Sequence, residues 1–318
     1  MLKSRRRFLQ GTSATAALLF TPWTLRAVFF APNAPHAESA AAPVFEQTRL
    51  LMDTLVTIST PRPTNQRVAE AVEAAFSEAT RLEAILTRHA PTAPLDLLNQ
   101  QNIIRDVPPE LRRLLTLALH ISAATKNAFN PLAVTLAEAK RQGIHGNEMK
   151  RLETLAEPKA LRLDDTGLRL ESAELLCSLD GIAKGFIVDA ISSVLCRHQV
   201  FNHLINAGGD IFAGGSPGNQ HSWNLGILNA EGEIARMIPL RDMALATSGN
   251  SESLARGYEH ILPVPCSEAK VRRPFSASAV APNATLADAY STALFALDPQ
   301  RAESTAARAG VGFIAVTA

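Results

Sequence analysis

From Gln66 to His89 the apolar residues Val68, Val72, Phe76, Ala79, Leu82 and Leu86 recur at the spacing that lines one face of a helix. Pro91 and Pro94 are expected to stop that helix. A second helix fits Pro108 to Thr125, where proline suits the first turn and Leu111, Leu114, Leu115, Ala118 and Ile121 share a face. A third begins near Ala183 and runs to about His198, burying Ile187, Ile191 and Val194. The final strong helix is Ala284 to Leu297, with Leu286, Tyr290, Ala293, Leu294 and Leu297 available for packing. Strand patterning marks Thr48 to Thr60, through Leu51, Thr54, Val56 and Ile58. It returns in His203–Asn206, Trp223–Leu228, Arg236–Leu240 and Ala244–Thr247, short runs separated by Gly, Pro and Asn turns. Helices and strands mix without regular alternation, and neither a repeat nor a linker divides them. The pattern predicts one α+β domain over residues 43–318 with a mixed or antiparallel sheet, and it argues against a doubly wound fold.

Composition supports a packed domain: 47% of the 318 residues are hydrophobic and 19% are charged. A net charge of +1 lacks the basic excess of a nucleic-acid binder. The N-terminus stands apart. Ser4-Arg5-Arg6-Arg7-Phe8-Leu9 precedes an uncharged run of small and apolar residues from Gly11 to Phe20. Paired arginines before a moderately hydrophobic segment read as a twin-arginine export signal. The run falls short of the ~20 residues that a membrane span needs. Residues 1–42 are therefore expected to be signal peptide and Ala/Pro-rich linker, giving a periplasmic protein that meets the membrane only during export. Cys177, Cys196 and Cys266 lack metal-ligand spacing, and their odd number permits at most one internal disulfide.

Several short segments carry candidate chemistry. Asp288 and Thr292 are four residues apart on the last helix, so both side chains face one way, roughly 6 Å apart. A carboxylate with a hydroxyl one turn on is half of a hard-metal site, and magnesium completes its shell with phosphate and water. Taken alone, such a pair more often marks a solvated helix face. Asp180-Gly181-Ile182-Ala183-Lys184-Gly185 opens a helix, where glycines allow close backbone approach and the amides and Lys184 offer positive charge to a phosphate. Its glycine spacing is not that of a Walker loop, and a plain glycine turn has the same appearance. Asn206-Ala207-Gly208-Gly209-Asp210 and Ala246-Thr247-Ser248-Gly249-Asn250 each close a strand with residues suited to tight turns or to ligand approach.

Their order is more specific than any one of them. Met52-Asp53-Thr54, the Ala-Phe-Asn-Pro core at 128–131, the Gly181–Gly185 turn, Asn206–Asp210, Thr247–Asn250, His260 and Ala287-Asp288-Ala289-Tyr290-Ser291-Thr292 follow one another through the chain. This succession resembles the ApbE family of FAD:protein FMN transferases. The resemblance implies a single α+β domain with FAD in a cleft and Mg2+ at its pyrophosphate. It implies metal ligation by Asp288, Thr292 and the backbone carbonyl of Ala183. Flavin and phosphate contacts would come from Met52, Phe129, Asn130, Pro131, Lys184, Asn206, Gly208, Gly209, Asp210, Thr247 and Ser248. Lys184 and His260 are the candidate catalytic groups, the histidine as proton acceptor or orienting group because its free pKa lies near working pH; a structural role for His260 is the alternative. The implied reaction joins FMN from FAD to a Thr or Ser of an exported or membrane flavoprotein and releases AMP. A twin-arginine branch of the family serves nitrous oxide reductase maturation, so a membrane electron-transfer subunit is a candidate target.

Departures from the family pattern are local. Asp53 stands where glycine is usual, and Ser178-Leu179-Asp180-Gly181 replaces Asp-Leu-Gly-Gly. Leu262-Pro263-Val264-Pro265 follows His260 in place of an Asp-Pro and a Thr-Gly turn, and Ser251 replaces a tyrosine. Three alternative functions compete with this reading: magnesium-dependent hydrolysis of FAD to FMN and AMP, a non-catalytic periplasmic flavin-binding protein, and a solute receptor. The last would require two lobes with regular strand–helix alternation, a pattern the chain lacks.

Overall fold

The structure, a computed structural model, describes residues 44–61, 65–218, 221–250, 254, 257–264 and 274–317. The export signal and linker expected at 1–42 lie outside the described residues, as do Ser251 and Cys266. The segment expected to form one strand, Thr48 to Thr60, is instead a hairpin of β1 (Val44–Leu51) and β2 (Thr54–Pro61). Its turn residues Met52 and Asp53 both take positive φ, +54° and +56°, as a two-residue type I′ turn demands. Aspartate is a residue that such turns favour, whereas methionine is not. The backbone N–H of Met52 donates to Glu83 Oε1 at 2.7 Å, and this tertiary bond helps to hold a conformation that L residues seldom adopt.

Helix α1 (Gln66–Leu86) buries the predicted face and is capped by Asn65 Oδ1, which accepts from Val68 N–H. Pro94, expected as a stop, opens α2 (Pro94–Gln101), because the missing N–H costs nothing in a first turn. After the short β3 (Ile103–Ile104) come α3 (Pro109–Ala124), α4 (Ala133–Arg141) and α5 (Gly146–Leu155). Next are β4 (Leu161–Asp164), β5 (Gly167–Leu170) and α6 (Ala183–Arg197). The sheet region supplies β6 (His203–Ala207), β7 (Asp210–Gly214), β8 (Trp223–Leu228), β9 (Ile234–Leu240) and β10 (Met243–Gly249). The chain closes with β11 (Ser276–Ala281), α7 (Ala284–Ala296), α8 (Pro299–Ala309) and β12 (Gly312–Val316).

The main sheet has seven strands in the order β1-β2-β6-β7-β10-β11-β12, and every pairing is antiparallel. Successive side chains on a strand face opposite ways, and the core divides accordingly. Ile205, Ala244 and Ala246 pack with the helices, while Leu204 and Leu245 pack on the other face against Trp223, Leu225 and Ile227 of the β8–β9 ribbon. The result is a ribbon, a sheet and a helical layer, which is an α+β domain rather than a doubly wound one. Cys177 is buried and free, and burial pushes its thiol up to about 12; Cys196 is also free. Among the described residues no helix is long and apolar enough to cross a membrane.

Candidate active site

Helix α7 is buried on nearly every side: eleven of its thirteen residues are out of solvent. A helix with no polar outer face belongs to an interior. The small residues that allow this, Ala287, Ala289 and Ala293 on the helix with Ala277 and Ala279 on β11, let α7 lie close to the sheet and to α6. Asp288 is thereby carried into the interior, where it is 3% exposed. Its Oδ2 accepts the N–H of Gly185 at 2.9 Å, in the first turn of α6, where the helix presents positive charge. Glycine at 185 is a steric requirement, since a methyl group there would sit 2.2 Å from the carbonyl oxygen of Ala284 and 2.8 Å from Asp288 Cβ. Gly181 meets the other half of the pair: a methyl group there would fall 2.9 Å from Thr292 Oγ1. Asp288 and Thr292 therefore face the Gly181–Gly185 turn directly.

Neighbouring polar groups complete this corner. Lys184 Nζ donates to Asp210 Oδ2, so the last residue of the Asn206–Asp210 loop serves as the lysine's ionic partner. Asn206 closes its own turn by accepting from Gly209 N–H at 2.9 Å. Ser248 Oγ shares hydrogen bonds with Ser291 Oγ at 2.7 Å and with Thr292 Oγ1 at 3.3 Å. Thr247 Oγ1 pairs with Ser278 Oγ at 2.8 Å. Burial, and then repulsion from Asp210, pushes the Asp288 carboxyl up to about 7, against the pull of Lys184 and the Gly185 N–H. Burial likewise raises Asp210, against the opposing pull of Lys184. Burial opposes the charge on Lys184, but the carboxylates of Asp210 and Asp288 outweigh it and hold the ammonium above its ordinary range.

This corner is one end of a cavity of about 1440 Å³. Met52, Phe129, Asn130, Pro131, Lys184, Gly208, Gly209, Thr247, Ser248, His260, Asp288 and Thr292 all line it, from seven separate segments of the chain. Asn206, Asp210 and Ala183 are not among the lining residues; the first two act from behind through the loop closure and the ion pair just described. The Phe129–Pro131 wall is fixed locally. Phe129 N–H donates to Thr125 Oγ1 at 3.1 Å, and the Pro131 carbonyl accepts from Ser178 N–H at 2.8 Å. Both ends of the Asn130 amide are engaged, with Leu132 N–H and the Ala156 carbonyl. The altered segment after His260 is also anchored. Glu259 pairs with Lys140 at 2.6 Å, Ile261 exchanges two hydrogen bonds with Asn250, and Val264 N–H donates to the Ala296 carbonyl. His260 is thus set in the cavity wall between two tethered residues.

Among the described residues no group of three or more His, Cys, Asp or Glu could hold a metal ion. The expected donor set has a different chemistry: one carboxylate, one hydroxyl and one main-chain carbonyl. These are hard oxygen donors of the kind magnesium accepts alongside phosphate oxygens. Asp288, buried and raised without a full ionic partner of its own, fits a cation placed against it.

One residue that sequence reading missed builds the corner. Asp189, one turn beyond Gly185 on α6, caps α7 from outside: Oδ1 accepts from Ala284 N–H at 2.7 Å and Oδ2 from Thr285 N–H at 2.9 Å. Its four-residue spacing from Gly185 was the available signal, because both then share a face of α6. Asp180 lies on the cavity wall, paired with Arg88 at 3.0 Å.

The fold and the site together define an α+β protein with one large cavity whose polar end joins a buried acid, an ion-paired lysine and three hydroxyls. The chain belongs to the ApbE family, whose model matches residues 52–315. It is 26% identical to the FAD:protein FMN transferase of Treponema pallidum over 292 residues, covering 80% of this chain and 78% of that protein. Two solved structures share the fold. The ApbE protein of Thermotoga maritima matches with 22% identity and a TM-score of 0.74, covering 86% of this chain and 94% of that one. The flavin transferase ApbE of Vibrio cholerae matches with 18% identity and a TM-score of 0.72 over the same shares.

Proposed function

We propose that this chain is a magnesium-dependent FAD:protein FMN transferase acting outside the cytoplasm on an exported or membrane flavoprotein. The observation that carries the reading is the meeting of Asp288 and Thr292 with the Gly181–Gly185 turn at one end of a cavity large enough for a dinucleotide. Ligand pockets for small molecules usually enclose about 300–1,000 Å³, so 1440 Å³ leaves room for FAD and for an acceptor segment. Family membership and the named activity of the Treponema pallidum relative support the same conclusion.

In this reading the acceptor Thr or Ser oxygen bonds to the FMN-side phosphorus as the bond from that phosphorus to the bridging oxygen breaks. AMP leaves with the bridging oxygen, and the hydroxyl proton passes to a base. His260 is the wall residue suited to accept it. Lys184, held charged by Asp210, supplies fixed positive charge beside the pyrophosphate. Asp288, Thr292 and the Ala183 carbonyl would hold magnesium, which when bound neutralises charge on the phosphates. The twin-arginine pattern at Arg5–Arg7 supports export, and a membrane electron-transfer subunit such as one serving nitrous oxide reduction is the target class that this implies.

Co-expression with a membrane flavoprotein subunit, followed by mass spectrometry of that subunit, tests the proposal. The expected result is a covalent FMN adduct on Thr or Ser that disappears with Asp288→Ala and is much reduced with His260→Ala. AMP release without an adduct would assign the chain as a hydrolase instead. FAD binding with no AMP release in the presence of magnesium and target would make it a flavin carrier.

A further inference from the structure

Besides Lys184, the cavity wall carries Arg88, Lys126 and Arg141, cations that the reaction scheme leaves unused. Arg88 lies just beyond α1, lines the cavity, and has 28% of its side chain exposed. Its Nε donates to Asp180 Oδ2 at 3.0 Å. Asp180 is itself fixed, its N–H donating to Ser178 Oγ at 2.9 Å, and it immediately precedes Gly181, the residue against Thr292. It is also near enough to push up both Asp288 and Lys184. Arg88 therefore stands beside the corner where Asp288, Thr292 and Lys184 meet.

Charge balance gives this position a purpose. The positive charge of Lys184 is matched by Asp210, which is 1% exposed and fixed in the interior. Asp288 adds a further carboxylate. A bound divalent cation would offset Asp288 and only part of a doubly ionised pyrophosphate. Arg141, also on the wall, is engaged through both Nε and Nη2 by Glu138. Arg88 differs in its partner, a carboxylate with 57% of its side chain in solvent and only one of the arginine's nitrogens engaged. An exposed pair of that kind is worth about 0–1 kcal/mol and is readily exchanged. A guanidinium offers two parallel N–H donors to a phosphate, a geometry that lysine lacks.

We infer that Arg88 is a phosphate-binding residue of this site, held at the cavity wall by Asp180 until the dinucleotide's pyrophosphate takes over its terminal nitrogens. The inference rests on the FAD-dependent reading above and adds to it a guanidinium that grips the pyrophosphate.

The test is FAD binding by the full-length protein with magnesium, followed through flavin fluorescence, without target or turnover. Arg88→Ala is expected to weaken FAD about tenfold or more, the loss of a charge-assisted hydrogen bond to phosphate. Arg88→Lys should recover part of that affinity, and both variants should melt with the wild type. Wild-type affinity should also fall with added salt more steeply than that of Arg88→Ala. Asp180→Asn, which removes the competing charge, should bind FAD at least as tightly as wild type. Arg88→Ala binding within twofold of wild type would overturn the inference and leave the proposed function standing. So would an equal loss in Arg88→Ala and Arg88→Lys with lowered melting temperatures, or a loss in Asp180→Asn matching that of Arg88→Ala. A wild-type protein that binds no FAD would overturn both.

Discussion

Gly185→Ala is the smallest change that tests the architecture of the site. The added methyl group would meet the Ala284 carbonyl oxygen at 2.2 Å, whereas ordinary contact begins at 3.4 Å. The shortfall is 3.4 − 2.2 = 1.2 Å, and the obstacle is backbone, which has no rotamer to escape into. Helices α6 and α7 must therefore separate. Overpacking of this kind costs about 1–3 kcal/mol. Alanine recovers about 1 kcal/mol through helix propensity, so the clash prevails by up to about 2 kcal/mol. For a domain of this size that corresponds to a melting temperature lower by a few degrees, at about 2–4 °C per kcal/mol. Separation also stretches the 2.9 Å bond from Gly185 N–H to Asp288 Oδ2, so the carboxylate loses its anchor beside Lys184. The expected result is a modest fall in thermal stability by circular dichroism together with a much larger loss of magnesium-dependent AMP release. A variant that melts at or above the wild-type temperature and turns over normally would refute the claim that these two helices touch at Gly185.

Asp288→Asn should weaken a pH dependence. Burial, with repulsion from Asp210, holds the native carboxyl up at about 7, well above the ordinary carboxylate range, so between that range and 7 the folded state holds more protons than the unfolded one. Stability of the metal-free protein therefore falls as pH rises through that window, and urea denaturation across it should show the slope in wild type and a shallower one in the variant, where the raised carboxyls of Asp210 and Asp189 remain. Asp189→Ala leaves Ala284 N–H and Thr285 N–H without their acceptor, and chemical denaturation should report a loss of about 1–3 kcal/mol. Full retention of stability would mean that another group caps α7. Asp53→Gly relieves a positive-φ residue in a two-residue turn, and thermal melts should show a gain of up to about 1 kcal/mol with FAD binding unchanged.

The reach of sequence reading in this chain follows the range of the forces involved. The long helices α1, α3, α6 and α7 were legible because the period of an amphipathic face is written within a few turns. The β1–β2 turn was not, because Asp53 beside Met52 is only a weak turn signal and a side chain 31 residues away, Glu83, supports the turn. Pro94 was ambiguous for a chemical reason: a residue lacking an N–H ends one helix and begins another equally well. Strand β11, Ser-Ala-Ser-Ala-Val-Ala, is illegible in sequence because its side chains are too small to show a hydrophobic alternation. That same smallness is what admits α7 against the sheet. The candidate site was legible as a set of segments, yet its internal wiring was not. Asp210 reads as a ligand-loop residue in sequence and turns out to be the counter-ion of Lys184, a pairing across 26 residues that depends on β6 and β7 being adjacent. The Asp288–Thr292 pair shows the same division: helical spacing establishes that the two share a face, and only the bare backbone at Gly181 and Gly185 establishes what that face meets. Two glycines that look like turn punctuation are therefore the residues on which closure of the site depends, which is why the smallest side chain added at Gly185 is the most direct probe of it.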